Sequence, residues 1–158
     1  MITKSLTRSI AIDAPARDVW GVLAAVAAYH RWNPFIVFGR VMFRQQLESG
    51  RLLEAHLSYN QGKTNHKVTA RIVMADTLSE LRWVVETKAP FLWRFEHAFF
   101  INPKSDTQVE FVHRRRSWGL AAPFIRLFTD KRSGRAMDAM NQALKKAAEA
   151  REGLGERG

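Results

Sequence analysis

The chain has 158 residues, of which 46% are hydrophobic and 25% charged, a composition typical of one globular domain with a single core. It contains no cysteine, which excludes disulfides, thiolate metal sites and thiol nucleophiles, and it begins with no apolar run typical of a signal peptide or a membrane span. We therefore expect a cytoplasmic protein. The net charge of +10 would favour nucleic acid or an anionic membrane surface, but the bases are spread along the whole chain.

The first predicted elements are a strand and a helix. Residues Ser5 to Ile12 alternate loosely with period two, and Asp13 and Pro15 then supply an N-cap-like acid and a proline near a helix start. Apolar residues recur at helical spacing from Ala16 to Ala28. Because Pro34 breaks the pattern, the helix is predicted to end by about residue 32.

Six strands are predicted next, each separated from its neighbour by a short segment with turn chemistry, which favours antiparallel pairing. These strands are Ile36 to Phe43, Leu52 to Tyr59, Lys67 to Met74, Leu81 to Thr87, Leu92 to Ile101 and Gln108 to Trp118.

The last predicted element is a long amphipathic helix from about Pro123 to Arg151. Its apolar face is expected to carry Phe124, Leu127, Phe128, Met137, Met140, Leu144 and Ala147. The element order predicts an α+β fold in which a curved, seven-stranded antiparallel sheet wraps around this helix and leaves an internal hydrophobic cavity. We assign residues 1–152 to this domain and residues 153–158 to a flexible C-terminal tail.

Four stretches of the chain carry a resemblance to a known family. They are Ile10 to Leu23 (IAIDAPARDVWGVL), Tyr29 to Ile36 (YHRWNPFI), Phe95 to Phe99 (FEHAF) and Met137 to Lys145 (MDAMNQALK). The sequence resembles the START-like superfamily, also called SRPBCC or helix-grip, and within it the polyketide cyclase and dehydrase-like branch. The resemblance implies a helix-grip fold and the binding of lipids, polyketides, sterols or other hydrophobic molecules in a cavity between the sheet and the C-terminal helix.

Strand parity places two histidines on the face directed toward the cavity. Trp93, Phe95, His97, Phe99 and Ile101 alternate on one strand, and Val109, Phe111, His113 and Arg115 alternate on the next. A turn from Pro103 to Asp106 that pairs Ile101 with Val109 would place His97 opposite His113.

The candidate catalytic residues are therefore His97, His113 and Arg115, which together could polarise a ligand carbonyl or bind a carboxylate. In the structural interpretation, each histidine is instead held by a backbone carbonyl or by Glu96 or Glu110. A metal site would need His56 or His66 as a third ligand, and because the spacing matches no metal motif we expect no metal.

No cofactor is expected either. Residues 153–158 satisfy G-x-G-x-x-G literally, but they follow a helix, whereas dinucleotide binding requires a preceding strand and a following helix.

Aromatic and flexible apolar side chains are predicted to line the cavity and to suit a flat ligand with one polar end. The predicted ligand-binding residues are Trp32, Trp83, Trp93, Phe95, His97, Phe99, Phe111, His113, Met137, Met140 and Leu144. Of the aromatic residues considered, Trp20 and Phe111 are the best candidates for a purely structural role.

Three functions remain open from the sequence. The first is a binding or transport protein for a hydrophobic small molecule, released by movement of residues 29–38. The second is a cyclase or dehydratase that uses the cavity histidines and arginine. The third is an anionic-surface binder that uses Arg114, Arg116, Arg126, Lys131, Arg132 and Arg135. The expected partner is the small molecule rather than nucleic acid, and membrane-surface contact and the oligomeric state are left open.

Overall fold

Seven strands and two α-helices make up the fold in the computed structural model, which describes residues 4–43, 46–85 and 87–155. One antiparallel sheet contains the strands in the order β1-β7-β6-β5-β4-β3-β2, so the predicted α+β fold with a curved seven-stranded sheet and a long C-terminal helix is confirmed. The elements are β1 (Lys4–Ile12), α1 (Ala16–Ala24), a 3-10 helix (Val26–Arg31), β2 (Ile36–Val41), β3 (Leu52–Leu57), β4 (His66–Asp76), β5 (Glu80–Val85), β6 (Arg94–Ser105), β7 (Gln108–Trp118) and α2 (Ala122–Gly155).

The first helix is shorter than predicted. Helix α1 ends at Ala24, and the 3-10 helix replaces its expected continuation. Pro15, not Asp13, occupies the N-cap position, and the Asp13 carboxylate instead accepts a hydrogen bond from Gln108. After the 3-10 helix, the side-chain oxygen of Asn33 accepts hydrogen bonds from the amides of residues 35 and 36, at 3.0 and 2.8 Å, and this local turn directs the chain into β2.

The hairpin of β6 and β7 corrects the predicted register. Strand β6 continues to Ser105, so the turn contains only residues 106 and 107, and Ile101 pairs with Phe111 rather than with Val109. His97 consequently lies opposite Arg115. Pro103 signals a turn in the sequence, yet it is accommodated in β6 beside an irregularity in the pairing between residues 103 and 105. The predicted register of the hairpin is wrong by two residues. Because side chains alternate with a period of two along a strand, every side chain keeps its predicted face.

The two halves of α2 have different surroundings. Met137, Met140 and Leu144 are completely buried against the sheet, whereas Phe124 and Phe128 are 72% and 79% exposed. The sequence-based prediction that all five share one apolar face is wrong. At about 100° per residue, Phe124 and Met137 point in directions about 140° apart, which puts them on different sides of the helix.

Polar contacts attach the C-terminal half of α2 to the first strand and the segment that follows it. Arg8 pairs with Asp138 at 3.2 Å, and Lys145 donates to the carbonyl of Ala11 at 3.1 Å. The Glu149 carboxylate accepts from the Asp13 amide at 2.9 Å. The helix continues past the predicted end at residue 151 as far as Gly155, and residues 156–158 of the predicted tail lie outside the described residues.

In the described ranges, no helix is both long enough and apolar enough to cross a membrane.

Candidate functional site

The two candidate histidines contact each other in the core. Nδ1 of His97 lies 2.8 Å from Nε2 of His113, a hydrogen bond in which one ring donates and the other accepts. The contact is diagonal across β6 and β7, because His97 pairs with Arg115 and His113 pairs with Phe99. Neither histidine bonds to Glu96 or Glu110, whose positions on the two strands place them on the opposite face of the sheet.

Burial keeps both imidazoles neutral near pH 7. It lowers the pKa of His113 from 6.5 to about 3, against a smaller opposing effect of the Asn141 side chain. Burial also lowers the pKa of His97 well below 6.5, and the neighbouring His113 and Arg115 lower it further. Each residue is 0% exposed, and aromatic rings of Phe35, Trp83 and Phe99 surround the pair.

Arg115 is a cation fixed between the sheet and α2. Its Nη1 donates to Ser133 Oγ at 3.1 Å and pairs with Asp130 at 3.4 Å, and the guanidinium carbon lies 5.6 Å from the centre of the Phe95 ring. Burial lowers the pKa of Arg115, but an arginine starts so high that the group stays charged at neutral pH. Because Asp130 is shared with Arg126 at 2.7 Å, the site keeps a net positive charge.

A cleft of about 430 Å³ opens between strands β3 to β7 and the N-terminal half of α2. Aromatic rings of Tyr59, Trp93 and Phe95 contribute to its walls, and Arg115 is its most deeply buried charged residue. The described residues that line it are Leu57, Tyr59, His66, Lys67, Val68, Thr69, Val85, Thr87, Trp93, Phe95, Arg115, Thr129 and Arg132.

The charged residues that line this cleft in the described part of the chain are all basic. Its lining includes Lys67, Arg115 and Arg132, and it has no carboxylate among the described residues. Lys67 is partly neutralised by Glu54 at 3.4 Å, whereas the Arg132 guanidinium lies 5.0 Å from the centre of the Tyr59 ring. Burial raises the pKa of Tyr59, so its hydroxyl stays protonated and can donate a hydrogen bond. The arrangement can hold an apolar molecule and stabilise one anionic or oxyanionic end.

The structure brings only some of the predicted residues to this cleft. Of the predicted ligand-binding set, Trp93 and Phe95 line it, and of the catalytic candidates only Arg115 does. Trp32 lies half-buried beside Tyr29. The other predicted ligand-binding residues are buried in the packed core: Trp83, His97, Phe99, Phe111, His113, Met137, Met140 and Leu144. Their part in ligand binding stays a prediction.

Sequence reasoning missed Tyr59, Thr129 and Arg132 as lining residues. Tyr59 was expected inside a strand but follows the end of β3. Thr129 and Arg132 lie at the cleft because of the angle at which α2 crosses the sheet. No local sequence pattern predicts that angle. The alternation of strand residues was the usable signal, because it places Trp93, Phe95 and Arg115 on the inner face.

The predicted basic surface is divided between two faces. Arg114 and Arg116 alternate with the inward-facing Arg115, so they lie on the outer face of the sheet, where Arg114 stacks on Phe100 at 4.8 Å. The other four bases belong to α2, which packs on the inner face: Arg126, Lys131, Arg132 and Arg135. The six therefore do not form one surface.

No group of three or more potential metal ligands comes together in the parts of the chain that the structure describes. His56 contacts Glu54 at 3.2 Å, and the His66 ring is tilted relative to that of Tyr59, with 6.3 Å between the ring centres.

Comparison with known proteins identifies relatives along nearly the whole chain. The model of a family described as polyketide cyclase/dehydrase and lipid transport matches residues 3–149. The sequence has no detectable match among curated proteins.

Several solved structures share the fold. The Zhui aromatase/cyclase from a Streptomyces species superposes with a TM-score of 0.77 at 18% identity, covering 95% of this chain and 96% of that one. A START superfamily protein from Mycobacterium smegmatis gives a TM-score of 0.70 at 13% identity, covering 92% and 97%. Norcoclaurine synthase from Thalictrum flavum gives 0.67 at 13% identity, covering 96% and 97%. At these identities the likeness establishes the fold alone.

Proposed function

The chain belongs to the polyketide cyclase/dehydrase and lipid transport family, and from this premise we propose that it binds a hydrophobic small molecule, such as a lipid or a polyketide, in the cleft between the sheet and α2. The observation that carries the proposal is the cleft itself, which combines aromatic walls of Tyr59, Trp93 and Phe95 with the buried guanidinium of Arg115. Its volume of about 430 Å³ is in the range that encloses a small organic ligand.

The charges of the cleft narrow the ligand class. A cationic lining without a carboxylate, in the described residues, disfavours a cationic ligand. Apolar walls favour a molecule that is otherwise uncharged. We therefore expect an amphipathic ligand whose carboxylate, phenolate or enolate oxygen pairs with Arg115 or Arg132.

Binding is better supported than catalysis. A cyclase or dehydratase of the kind considered from the sequence would use His97 or His113 to move protons, and neither residue has surface that a ligand could reach in this conformation. Arg115 could stabilise an oxyanion, but the same contact serves a carrier equally well. The aromatase/cyclase and the norcoclaurine synthase named above share the fold at no more than 18% identity, so their reactions are not transferred.

A pair of dyes that differ in one charged group tests both the site and its charge. Anilinonaphthalene sulfonate and phenylnaphthylamine share an aromatic skeleton, and only the first carries an anionic group. We expect the purified protein to bind both, and the sulfonate more tightly, because Arg115 and Arg132 face the cleft. Fluorescence titration gives the two dissociation constants.

Variants then locate the binding. Arg132→Gln should weaken sulfonate binding by about tenfold and leave the uncharged dye unaffected. Arg135→Gln is the matched control, because Arg135 is an exposed base one turn away that does not line the cleft. Val68→Trp should fill the cleft and weaken both dyes. Equal affinity of all these proteins for both dyes would contradict the proposal.

A further inference from the structure

An exposed apolar patch surrounds the start of α2. Its members on the helix are Phe124, Leu127 and Phe128, exposed to 72%, 78% and 79%. Their spacing of three and four residues places them on one side of the helix. The patch consists of Phe91, Leu92, Leu120, Phe124, Leu127 and Phe128.

Two segments distant in the sequence are joined in this patch. The amide of Leu120 donates to the carbonyl of Phe91 at 3.1 Å, and the amide of Ala121 donates to the carbonyl of Leu92 at 2.8 Å. These backbone bonds hold the side chains of residues 91 and 92 beside the start of the helix. The exposed apolar groups are thus gathered around the start of α2 rather than scattered singly over the molecule, and such a grouping marks an interaction site.

Exposed bases border the patch. Lys4 and Lys131 line a groove together with Leu127, Lys88 precedes the segment of Phe91, and Arg132 and Arg135 occupy the following turns of α2. The sequence segments 87–93 and 120–137 contain one carboxylate, Asp130, and its charge is taken up by Arg115 and Arg126. The surface is therefore apolar in the middle and positive at its edge.

We propose that this patch docks the protein onto an anionic lipid membrane surface. An interfacial helix typically inserts Phe and Leu into the boundary between headgroups and acyl chains, while Lys and Arg at its edge contact anionic headgroups. Residues 120–135 of this chain supply both parts in that order, with the apolar turns first and the basic turns next. The docking surface stands on these residues and does not depend on ligand binding in the cleft.

A membrane fits this surface better than a second copy of the chain or a nucleic acid. A two-fold contact centred on the patch would bring Lys131, Arg132 and Arg135 of the two copies near each other, where like charges repel. A nucleic acid backbone would pair with the bases but would leave the exposed phenylalanines without an apolar partner. An anionic bilayer offers an apolar interior to the exposed phenylalanines and leucines and anionic headgroups to the bases at the same time.

The patch adjoins the cleft. Trp93 follows Phe91 and Leu92 in the chain and lines the cleft, and Thr129 and Arg132 line it from the helix that carries Phe124, Leu127 and Phe128. Docking at this place would direct the cleft toward the bilayer surface.

Flotation with lipid vesicles tests the proposal on the full chain. The protein is mixed with vesicles of phosphatidylcholine alone or with roughly one third phosphatidylglycerol, at low and high salt. We expect about tenfold stronger binding to the anionic vesicles, with most of the difference lost at high salt. Leu127→Glu combined with Phe128→Glu should weaken this binding by about tenfold or more, and Lys131→Glu combined with Arg135→Glu should do the same.

Controls separate docking from loss of the fold and from self-association. Met74→Glu with Leu78→Glu removes exposed apolar side chains on the β4–β5 hairpin and should leave vesicle binding unchanged. To show that they are folded, all variants should bind the uncharged phenylnaphthylamine dye as tightly as the parent protein does. If the parent protein binds no dye, the variants should instead have the same circular dichroism spectrum as the parent protein. The proposal is overturned if binding does not depend on anionic lipid or if the Leu127 and Phe128 changes leave it unaltered. A dimer of the parent chain in sedimentation that these two changes dissociate would also overturn it, because the patch would then be a contact between copies.

Discussion

The burial of His97 and His113 makes the stability of the core depend on pH. Both side chains are neutral in the folded chain because burial lowers their pKa values, that of His113 to about 3. In the unfolded chain each would titrate near 6.5. Between these values the unfolded state binds more protons than the folded state, so the free energy of unfolding falls as the pH falls through 6.5.

We predict that acidification from pH 6.5 to pH 5 costs about 2 kcal/mol of stability through His113, with a further loss in the same direction through His97. Urea unfolding at the two pH values measures this loss. The variant His97→Leu with His113→Leu should lose little stability over the same range, because nothing at these positions can be protonated. If that variant does not fold, the imidazole resonances of the parent protein provide the test, and protonation of either ring above pH 6 in the folded state would contradict the account.

At the residue scale, the sequence identified the inner face that His97, His113 and Arg115 share, although it paired His97 with His113 instead of Arg115. Alternation along a strand is sufficient for that, since it depends on the parity of positions and not on their register. It could not show that the histidines bond to each other or that aromatic rings cover them. Those contacts depend on the diagonal geometry of β6 and β7 and on Phe35 from another part of the chain.

The connection between β7 and α2 depends on a glycine. Gly119 has a φ of +110°, and a Cβ atom at this residue would lie 2.4 Å from the carbonyl oxygen of Leu92. Only glycine permits both the dihedral angle and the approach of the two backbone segments. The same approach holds Phe91 and Leu92 beside Leu120 and positions Trp93 at the cleft.

We predict that Gly119→Ala lowers the free energy of unfolding by about 2 kcal/mol or more, from dihedral strain and the backbone clash together. Gly62→Ala is the matched control, because Gly62 has a φ of +88° but nothing within 4 Å of its added methyl group. That change should cost about 1 kcal/mol, the strain alone. Chemical denaturation gives both values, and equal costs for the two variants would show that the clash has no effect.

At the element scale, predictions succeeded where a single segment decided the outcome. The seven strands and the long final helix follow from local alternation and helical spacing. The register of β6 and β7 did not follow, because Pro103 resembles a turn residue and only the paired strand shows that it is accommodated. The face of Phe124 was misassigned because one apolar stripe was extended over more turns than the helical period allows.

Over the whole molecule, the fold was predictable and the position of the cleft was not. The strands of the described residues all pair into one sheet, and α2 attaches to β1 by its C-terminal half. The sequence predicts an internal cavity between the sheet and the C-terminal helix, but Trp83, Phe99 and Met137 pack in the core there, each at most 1% exposed. The cleft of about 430 Å³ lies toward the N-terminal half of α2. Its location depends on the angle between helix and sheet, which no short stretch of sequence determines.

Native mass spectrometry of the purified, untagged chain tests the central claim most directly. The account predicts one small apolar molecule with an acidic group per chain, displaced by anilinonaphthalene sulfonate and absent when Val68→Trp fills the cleft. A chain that carries no molecule and binds neither dye, or a molecule that remains bound equally well in the Val68→Trp protein, would contradict the claim that this cleft is the binding site.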